Sequence, residues 1–370
     1  MSAIHKLTMP KWGLSMEEGK VTAWLVEEGA RIEPGMEVLE VETDKIANVI
    51  EANVSGILRR KLVQPEDVVP VSGLLGVVAE EDVSDAEIDA FIADFQANFV
   101  PPAAAEEDVS AQPEKLQAAG QTIRYLKRGE GGVPAILIHG FAGDLNNWLF
   151  SHEALAGRRA VYALDLPAHG ESSKDIERGD LAEFAQAVAA FMDAVDIKEA
   201  HLVGHSMGGG VALELARTSP ERAKSLTLIG SAGLGEEISG DYIEGFVSSR
   251  SRSELKPHLQ KLFADPTLVT RQLIDDMLKY KRLDGVDEAL RKIAETLFAG
   301  GRQTHVLRDE LAALAIPTLV IWGEEDAIIP PAHAEDLPGS VRVHVLPGKG
   351  HMVQMEAASE VNRLVDEFLG

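Results

Sequence analysis

Along residues 1–80 the apolar positions come in short runs broken by Gly and Pro, a pattern that predicts short strands and no long helix. The runs repeat. Sliding the segment from Gly19 forward by 37 positions brings Gly19 onto Gly56, Leu25-Val26 onto Leu62-Val63, Ile32 onto Val69, Val38 onto Leu75 and Val41 onto Val78. Such a two-fold quasi-repeat predicts two similar half-sheets packed as one small flattened barrel or sandwich. Between the halves, residues 38–50 form two strand-like runs with Asp44-Lys45 at their centre. Asp suits turn geometry, so Lys45 is expected at a hairpin tip, away from the sheet.

The pattern then changes twice. Ile88, Phe91, Ile92, Phe95 and Phe99 recur at helical spacing and predict an amphipathic helix over 85–99. This helix is read either as a cap on one domain or as a docking element for a partner protein. An Ala/Pro/acid segment at 101–108 follows and cannot build a core. From about Gln121, apolar runs at 135–138, 160–164, 200–203, 225–229, 317–321 and 341–346 alternate with helical stretches such as 180–195 and 209–218. Near-continuous apolar strands with helical crossovers predict a mostly parallel sheet covered on both faces. Residues 235–300 interrupt this rhythm with amphipathic helices and are expected to lie over one edge of the sheet as a lid. The division predicted is 1–80 for the all-β domain, 81–118 for an acidic helix and linker, and 119–370 for the α/β domain with a helical cap at about 235–300.

Composition narrows the chemistry. The 370 residues are 45% hydrophobic and 26% charged, with no cysteine, which removes disulfides, thiolate metal sites and cysteine nucleophiles. No His/Asp/Glu cluster has metal-ligand spacing, so no metal is expected. The net charge of -25 argues against nucleic acid, and residues 81–110 hold nine Asp or Glu with no Lys or Arg. No signal-like N-terminus or stretch of about 20 apolar residues is present, so a cytoplasmic, membrane-free protein is expected.

Gly204-His205-Ser206-Met207-Gly208-Gly209 has the G-x-S-x-G form, with an apolar strand before it and a helix after it. A sharp strand–turn–helix of this kind lifts a serine hydroxyl above the sheet and aims a helix N-terminus at developing negative charge. His139-Gly140-Phe141 follows the strand ending at Ile138, and the backbone N–H groups of Phe141 and Met207 are assigned as the oxyanion hole. Asp326 follows the strand 317–321, and His351 follows the strand 341–346. The chain order Ser206, Asp326, His351 makes these the candidate catalytic nucleophile, orienting acid and base. Glu324 and Glu325 compete with Asp326 for the acidic place; the spacing to Pro330 favours Asp326. His205 and His139 read as packing and loop-stabilising residues, and residues 165–172 as a structural turn.

Residues from about 121 onward resemble the α/β-hydrolase superfamily, with a helical cap. Residues 1–80 resemble the lipoyl domains of 2-oxo acid dehydrogenase complexes, in which Glu42-Thr43-Asp44-Lys45 matches the turn read by lipoyl ligase. That resemblance implies covalent lipoate on Lys45, with turn glycines at Gly35 and Gly56. The Met-Lys-Met setting of biotinyl domains is absent. The combination is similar to the dihydrolipoyllysine-residue acetyltransferase components of acetoin-cleaving (acetoin dehydrogenase) systems. It implies a thiamine-dependent acetoin-cleaving partner, dihydrolipoamide dehydrogenase, and transfer of an acetyl group from the lipoyl arm through Ser206 to coenzyme A. The connecting segment, roughly 35–40 residues with a coil-like span of about 30–35 Å, would let the arm travel. Coenzyme A is anionic, and Arg250, Arg252, Lys256 and Lys261 are the candidate counter-charges. Two departures from other lipoyl acyltransferases stand out: no H-x-x-x-D-G motif, and no convincing subunit-binding domain in 81–120. Two other readings remain. In one, a lipoylated esterase or thioesterase uses water as acceptor; in the other, a lipoyl carrier has a hydrolase core that only scaffolds.

Overall fold

The computed structural model describes residues 4–10, 18–43, 47–52, 54–99 and 112–370, and the chain divides into two compact units, Met1–Val109 and Ser110–Gly370.

The first unit is all-β with one helix. Its strands are β1 (His5–Thr8), β2 (Glu18–Trp24), β3 (Arg31–Ile32), β4 (Glu37–Glu42), β5 (Ala47–Glu51), β6 (Gly56–Lys61), β7 (Val68–Pro70) and β8 (Leu74–Ala79). They form two four-stranded sheets, ordered β1-β8-β6-β3 and β5-β4-β2-β7. The 37-residue repeat is visible in this topology. β2 and β4 pair in one sheet as β6 and β8 pair in the other, while β3 and β7 each cross to the opposite sheet. The repeated positions are the core: Ile32, Val38, Val41, Val69, Leu75 and Val78 are all buried together. Burying both inner faces is what makes so small a sandwich stable.

A helix, Asp85–Asn98, follows β8. Ser84 and Glu87 cap it reciprocally, and its apolar face sets Ile88 against Val77, Ala79 and Val83. Arg59 ties down its start by donating to the carbonyls of Glu80 and Val83 at 2.9 and 3.0 Å and to Asp85 at 2.9 Å. The periodicity therefore reflects a cap on this unit.

The second unit is an eight-stranded sheet with helices. Its strands are β9 (Glu114–Ala118), β10 (Gln121–Arg128), β11 (Ala135–Ile138), β12 (Val161–Leu164), β13 (Ala200–His205), β14 (Ala223–Ile229), β15 (Thr318–Gly323) and β16 (Val341–Leu346), in the order β16-β15-β14-β13-β11-β12-β10-β9. β11 to β16 run parallel, and β10 and β9 are antiparallel additions at one edge. Two expectations need correction. Residues 114–118 are strand, not linker; this edge strand turns only Leu116 and Ala118 inward, so its polar sequence hides it. β16 is also an edge, and Val343 and Val345 are 39% and 44% exposed despite their apolar pattern.

Between β14 and β15 lies a helical insertion, with helices at Gly240–Ser248, Arg252–Gln260, Arg271–Lys281 and Val286–Leu297. Among the described residues no helix is long and apolar enough to cross a membrane.

Candidate active site

β13 ends in His205, and Ser206 turns directly into the helix Met207–Thr218. Ser206 has φ 55° and ψ −124°, a conformation costly for a non-glycine residue, on the order of 1–3 kcal/mol. Backbone bonds hold it there. Ser206 N donates to Ile229 O, and Gly209 N and Ala232 N donate to Ser206 O, each at 2.9 Å. The flanking glycines are required by close approach: a Cβ on Gly208 would lie 2.2 Å from the carbonyl of Ile138. On the other side, a Cβ on Gly140 would lie 2.8 Å from Ser206 Cβ, so the loop after β11 runs against the serine. Its next residue is Phe141. Among the described residues the N–H groups of Phe141 and Met207 have no backbone acceptor, as an oxyanion hole needs.

Asp326 and His351 stand on the loops after β15 and β16. His351 Nδ1 lies 2.8 Å from Asp326 Oδ2, and both side chains are buried. Asp326 is itself fixed, its Oδ1 accepting from the N–H of Ile328 and Ile329 at 2.8 and 2.9 Å. Glu324 and Glu325 are exposed, and Asp326 is the one of the three acids that bonds His351. With Nδ1 committed, Nε2 is the imidazole nitrogen available to exchange a proton.

The three loops are joined through neighbours that sequence does not reveal. His205 Nε2 lies 3.0 Å from the carbonyl oxygen of His351, and the two rings are 4.7 Å apart. Burial, then the neighbouring His351, hold the His205 pKa well below its ordinary value, so His205 is a neutral donor. Glu356 accepts from Gly350 N at 2.7 Å and from Ala264 N at 2.8 Å, stitching the helical insertion to the His351 loop. Met352 N adds a bond to Leu262 O at 2.9 Å. From the same insertion Phe246 stacks edge-on to Phe141, centroids 6.0 Å apart, and Phe298 follows it at 5.9 Å. None of these partners has a local signal, because each is set by long-range packing.

His139 is tied into the loop after β11. His139 bonds Gly140 O at 2.8 Å through Nδ1 and accepts from Leu166 N at 3.0 Å, and burial lowers its pKa to about 4. The 165–172 segment is a turn knotted on Asp165, which accepts from Leu145 N and Glu171 N at 2.8 Å. Lys45 lies outside the described residues. Its flanks are paired: β4 and β5 run antiparallel to the register Glu42↔Ala47. Of the four cations considered for coenzyme A, Lys261 pairs with Asp241, Lys256 is exposed on a helix, and Arg250 and Arg252 line a cleft described below.

Comparison with known proteins agrees with this geometry. Residues 134–358 match the α/β hydrolase fold model, and residues 5–78 match the biotin/lipoyl model described as a biotin-requiring enzyme. The chain is therefore an α/β hydrolase joined to a biotin/lipoyl attachment domain. It is 54% identical over its whole length, and 99% of theirs, to the "dihydrolipoyllysine-residue acetyltransferase component of acetoin cleaving system" of Pseudomonas putida. It is 50% identical, over 99% of this chain and 98% of the relative, to the protein of the same description from Cupriavidus necator. The chain belongs to this family, and its enzyme class is dihydrolipoyllysine-residue acetyltransferase. Its hydrolase part is also 31% identical to a 2-hydroxy-6-oxo-6-phenylhexa-2,4-dienoate hydrolase of Comamonas testosteroni, over 67% of this chain and 91% of that one. Among solved structures, a meta-cleavage product hydrolase from Pseudomonas fluorescens matches with a TM-score of 0.63 at 27% identity, over 70% of this chain and 98% of that chain.

Proposed function

We propose that the protein moves an acetyl group from a lipoyl arm on Lys45, through an acyl-Ser206 intermediate, to coenzyme A, as a component of an acetoin-cleaving system. The single observation that carries this is the buried His351–Asp326 pair beside the strained Ser206 turn, in a chain that also carries a lipoyl-type hairpin. The hairpin fits the group: β4 and β5 are in register up to Glu42 and Ala47, and the short connection between them holds a lysine. When bound there, lipoate supplies a thiol that carries the acetyl group as a thioester.

Ser206 Oγ attacks the thioester carbonyl while His351 Nε2 takes its proton. The N–H groups of Phe141 and Met207 hold the oxyanion, and the helix that starts at Met207 adds its positive end. As the C–S bond breaks, His351 returns the proton to the departing sulfur. Coenzyme A then gives its thiol proton to His351, its sulfur bonds the acyl carbon, and as the C–O bond to Ser206 breaks His351 returns that proton to Ser206 Oγ. Asp326 fixes the imidazole tautomer and balances its charge at both steps. One thioester is exchanged for another, so the overall step is nearly isoenergetic. Its hazard is hydrolysis of the acyl-serine, and Phe246 and Phe298 packed on Phe141 are placed to exclude water.

A thiamine-dependent acetoin-cleaving component would load the arm, dihydrolipoamide dehydrogenase would reoxidise it, and a lipoyl ligase or transferase would modify Lys45. The similarity to hydrolases of the meta-cleavage class favours one rival, in which water accepts the acyl group. Supplying acetyl-dihydrolipoamide with and without coenzyme A separates the two. Acetyl-coenzyme A as the main product supports transfer; free acetate at equal rates in both mixtures supports the rival.

A further inference from the structure

An acidic protein that takes a polyanionic acceptor needs a place where its charge reverses. Over the whole chain the net charge is -25, yet residues 250–282 carry eight Lys or Arg against four Asp or Glu. In this stretch the helices Arg252–Gln260 and Arg271–Lys281 leave a cleft of about 630 Å³ lined by Arg250, Arg252, Lys279 and Arg282, with Ser253 beside them. Asp275 is its one acidic wall residue and is occupied by Arg252. Arg250 is held by Asp287 at 2.5 Å, and Lys279 by Asp276 at 3.1 Å. Arg282 is exposed and has no ion pair among the described residues. A second cleft of about 430 Å³ adjoins it and shares Arg250 and Arg282.

The cleft is also in the right place. Arg250 follows the helix Gly240–Ser248 by two residues, and that helix carries Phe246 against Phe141 at the serine. Arg250 lies four positions beyond Phe246, a span of at most about 14 Å. Lys281 fixes the corner by donating to the carbonyls of Phe246 and Val247 at 2.7 and 3.1 Å. The C-terminal end of this short helix thus sets Phe246 against the site and, just beyond it, opens on a cationic cleft. Coenzyme A has the matching shape: its thiol sits at the end of a long pantetheine arm, and its phosphates sit at the other end. Guanidinium forks suit such phosphates, because each can donate two hydrogen bonds to one phosphate.

We propose that this cleft binds the phosphate groups of coenzyme A, with Arg250 and Arg282 as the principal donors, while the pantetheine arm runs past Phe246 to Ser206. The proposal rests on coenzyme A being the acceptor. The full-length lipoylated chain is tested with acetyl-dihydrolipoamide as donor and either coenzyme A or pantetheine, which lacks the phosphates, as acceptor. The parent should prefer coenzyme A in kcat/KM, and Arg282→Glu should shrink that preference about tenfold, with Arg282→Gln intermediate. Titration of adenosine 3′,5′-bisphosphate should show binding to the parent and weaker binding to both variants. If the preference survives intact in both correctly folded variants, the phosphates bind elsewhere and the proposal falls while the acceptor reading stands. If the parent forms no acetyl-coenzyme A at all, both fall together.

Discussion

His205 Nε2 donates to the carbonyl oxygen of His351 across 3.0 Å, so the residue beside the serine is bonded to the backbone of the residue proposed to activate it. The bond links the end of β13 to the loop after β16, two segments separated by 146 positions in sequence. His205→Ala leaves a buried carbonyl without its donor. Such a loss costs about 1–3 kcal/mol, and the imidazole it positions should wander. A lower denaturant midpoint is expected together with a reduced kcat, while KM for the acetyl donor changes little.

Glu356 makes a second bridge, with one carboxylate oxygen on Gly350 N and the other on Ala264 N. In Glu356→Gln only one terminal oxygen remains an acceptor, and the amide nitrogen faces an N–H. Hydrogen exchange at the amides of Ala264 and Gly350 should speed up in this variant. If the insertion excludes water by being held to the His351 loop, the ratio of free acetate to acetyl-coenzyme A should also rise. An unchanged ratio would separate the bridge from water exclusion.

Gly230 sits beneath the acid–base pair with φ +48°. A Cβ there would lie 3.3 Å from Asp326 Oδ2 and 3.4 Å from His351 Nδ1, in a backbone region that costs an L-residue about 1–2 kcal/mol. Gly230→Ala should therefore lower both stability and kcat, read by thermal melting and by the transfer assay. The same substitution at the open Gly157, which has nothing within 4 Å of its Cβ position, should leave kcat unchanged.

Five buried histidines set the acid limit. Burial lowers His139 and His201 to about 4 and His152 to about 3, and holds His169 and His205 well below their ordinary value. Below about pH 6.5 the unfolded chain takes protons at these positions that the folded chain refuses, so stability falls as pH falls. Each contributes about 1.4 kcal/mol per pH unit until its folded value is reached. Asp165 works the other way. Burial raises it to about 6, so between its ordinary value and pH 6 the folded state holds the extra proton and offsets about one histidine. Urea midpoints of the full chain should be flat from pH 8 to 7 and drop steeply from 6.5 to 5. A flat profile to pH 5 would contradict this account.

Much of this was legible in the sequence, for identifiable reasons. The 37-residue repeat marks Ile32/Val69 and Val41/Val78 as equivalent core positions because each half must bury the same face. The loops that carry Ser206, Asp326 and His351 were readable because each lies just past the end of an apolar strand. What sequence hides is contact across the fold. His205, Glu356, Gly230 and Phe246 acquire their places from segments far away, and no spacing announces them. β9 escaped because an edge strand needs only two inward residues, and β16 read as buried because valines suit an exposed edge as well as a core.

The central claim is that the acetyl group passes through Ser206. The direct measurement mixes the protein with acetyl-dihydrolipoamide in the absence of coenzyme A, quenches it, and weighs the peptide that contains Ser206. The account predicts one added acetyl group on that peptide, its discharge into acetyl-coenzyme A when the acceptor is supplied, and neither event in Ser206→Ala. Formation of acetyl-coenzyme A by Ser206→Ala at the parent rate would contradict it.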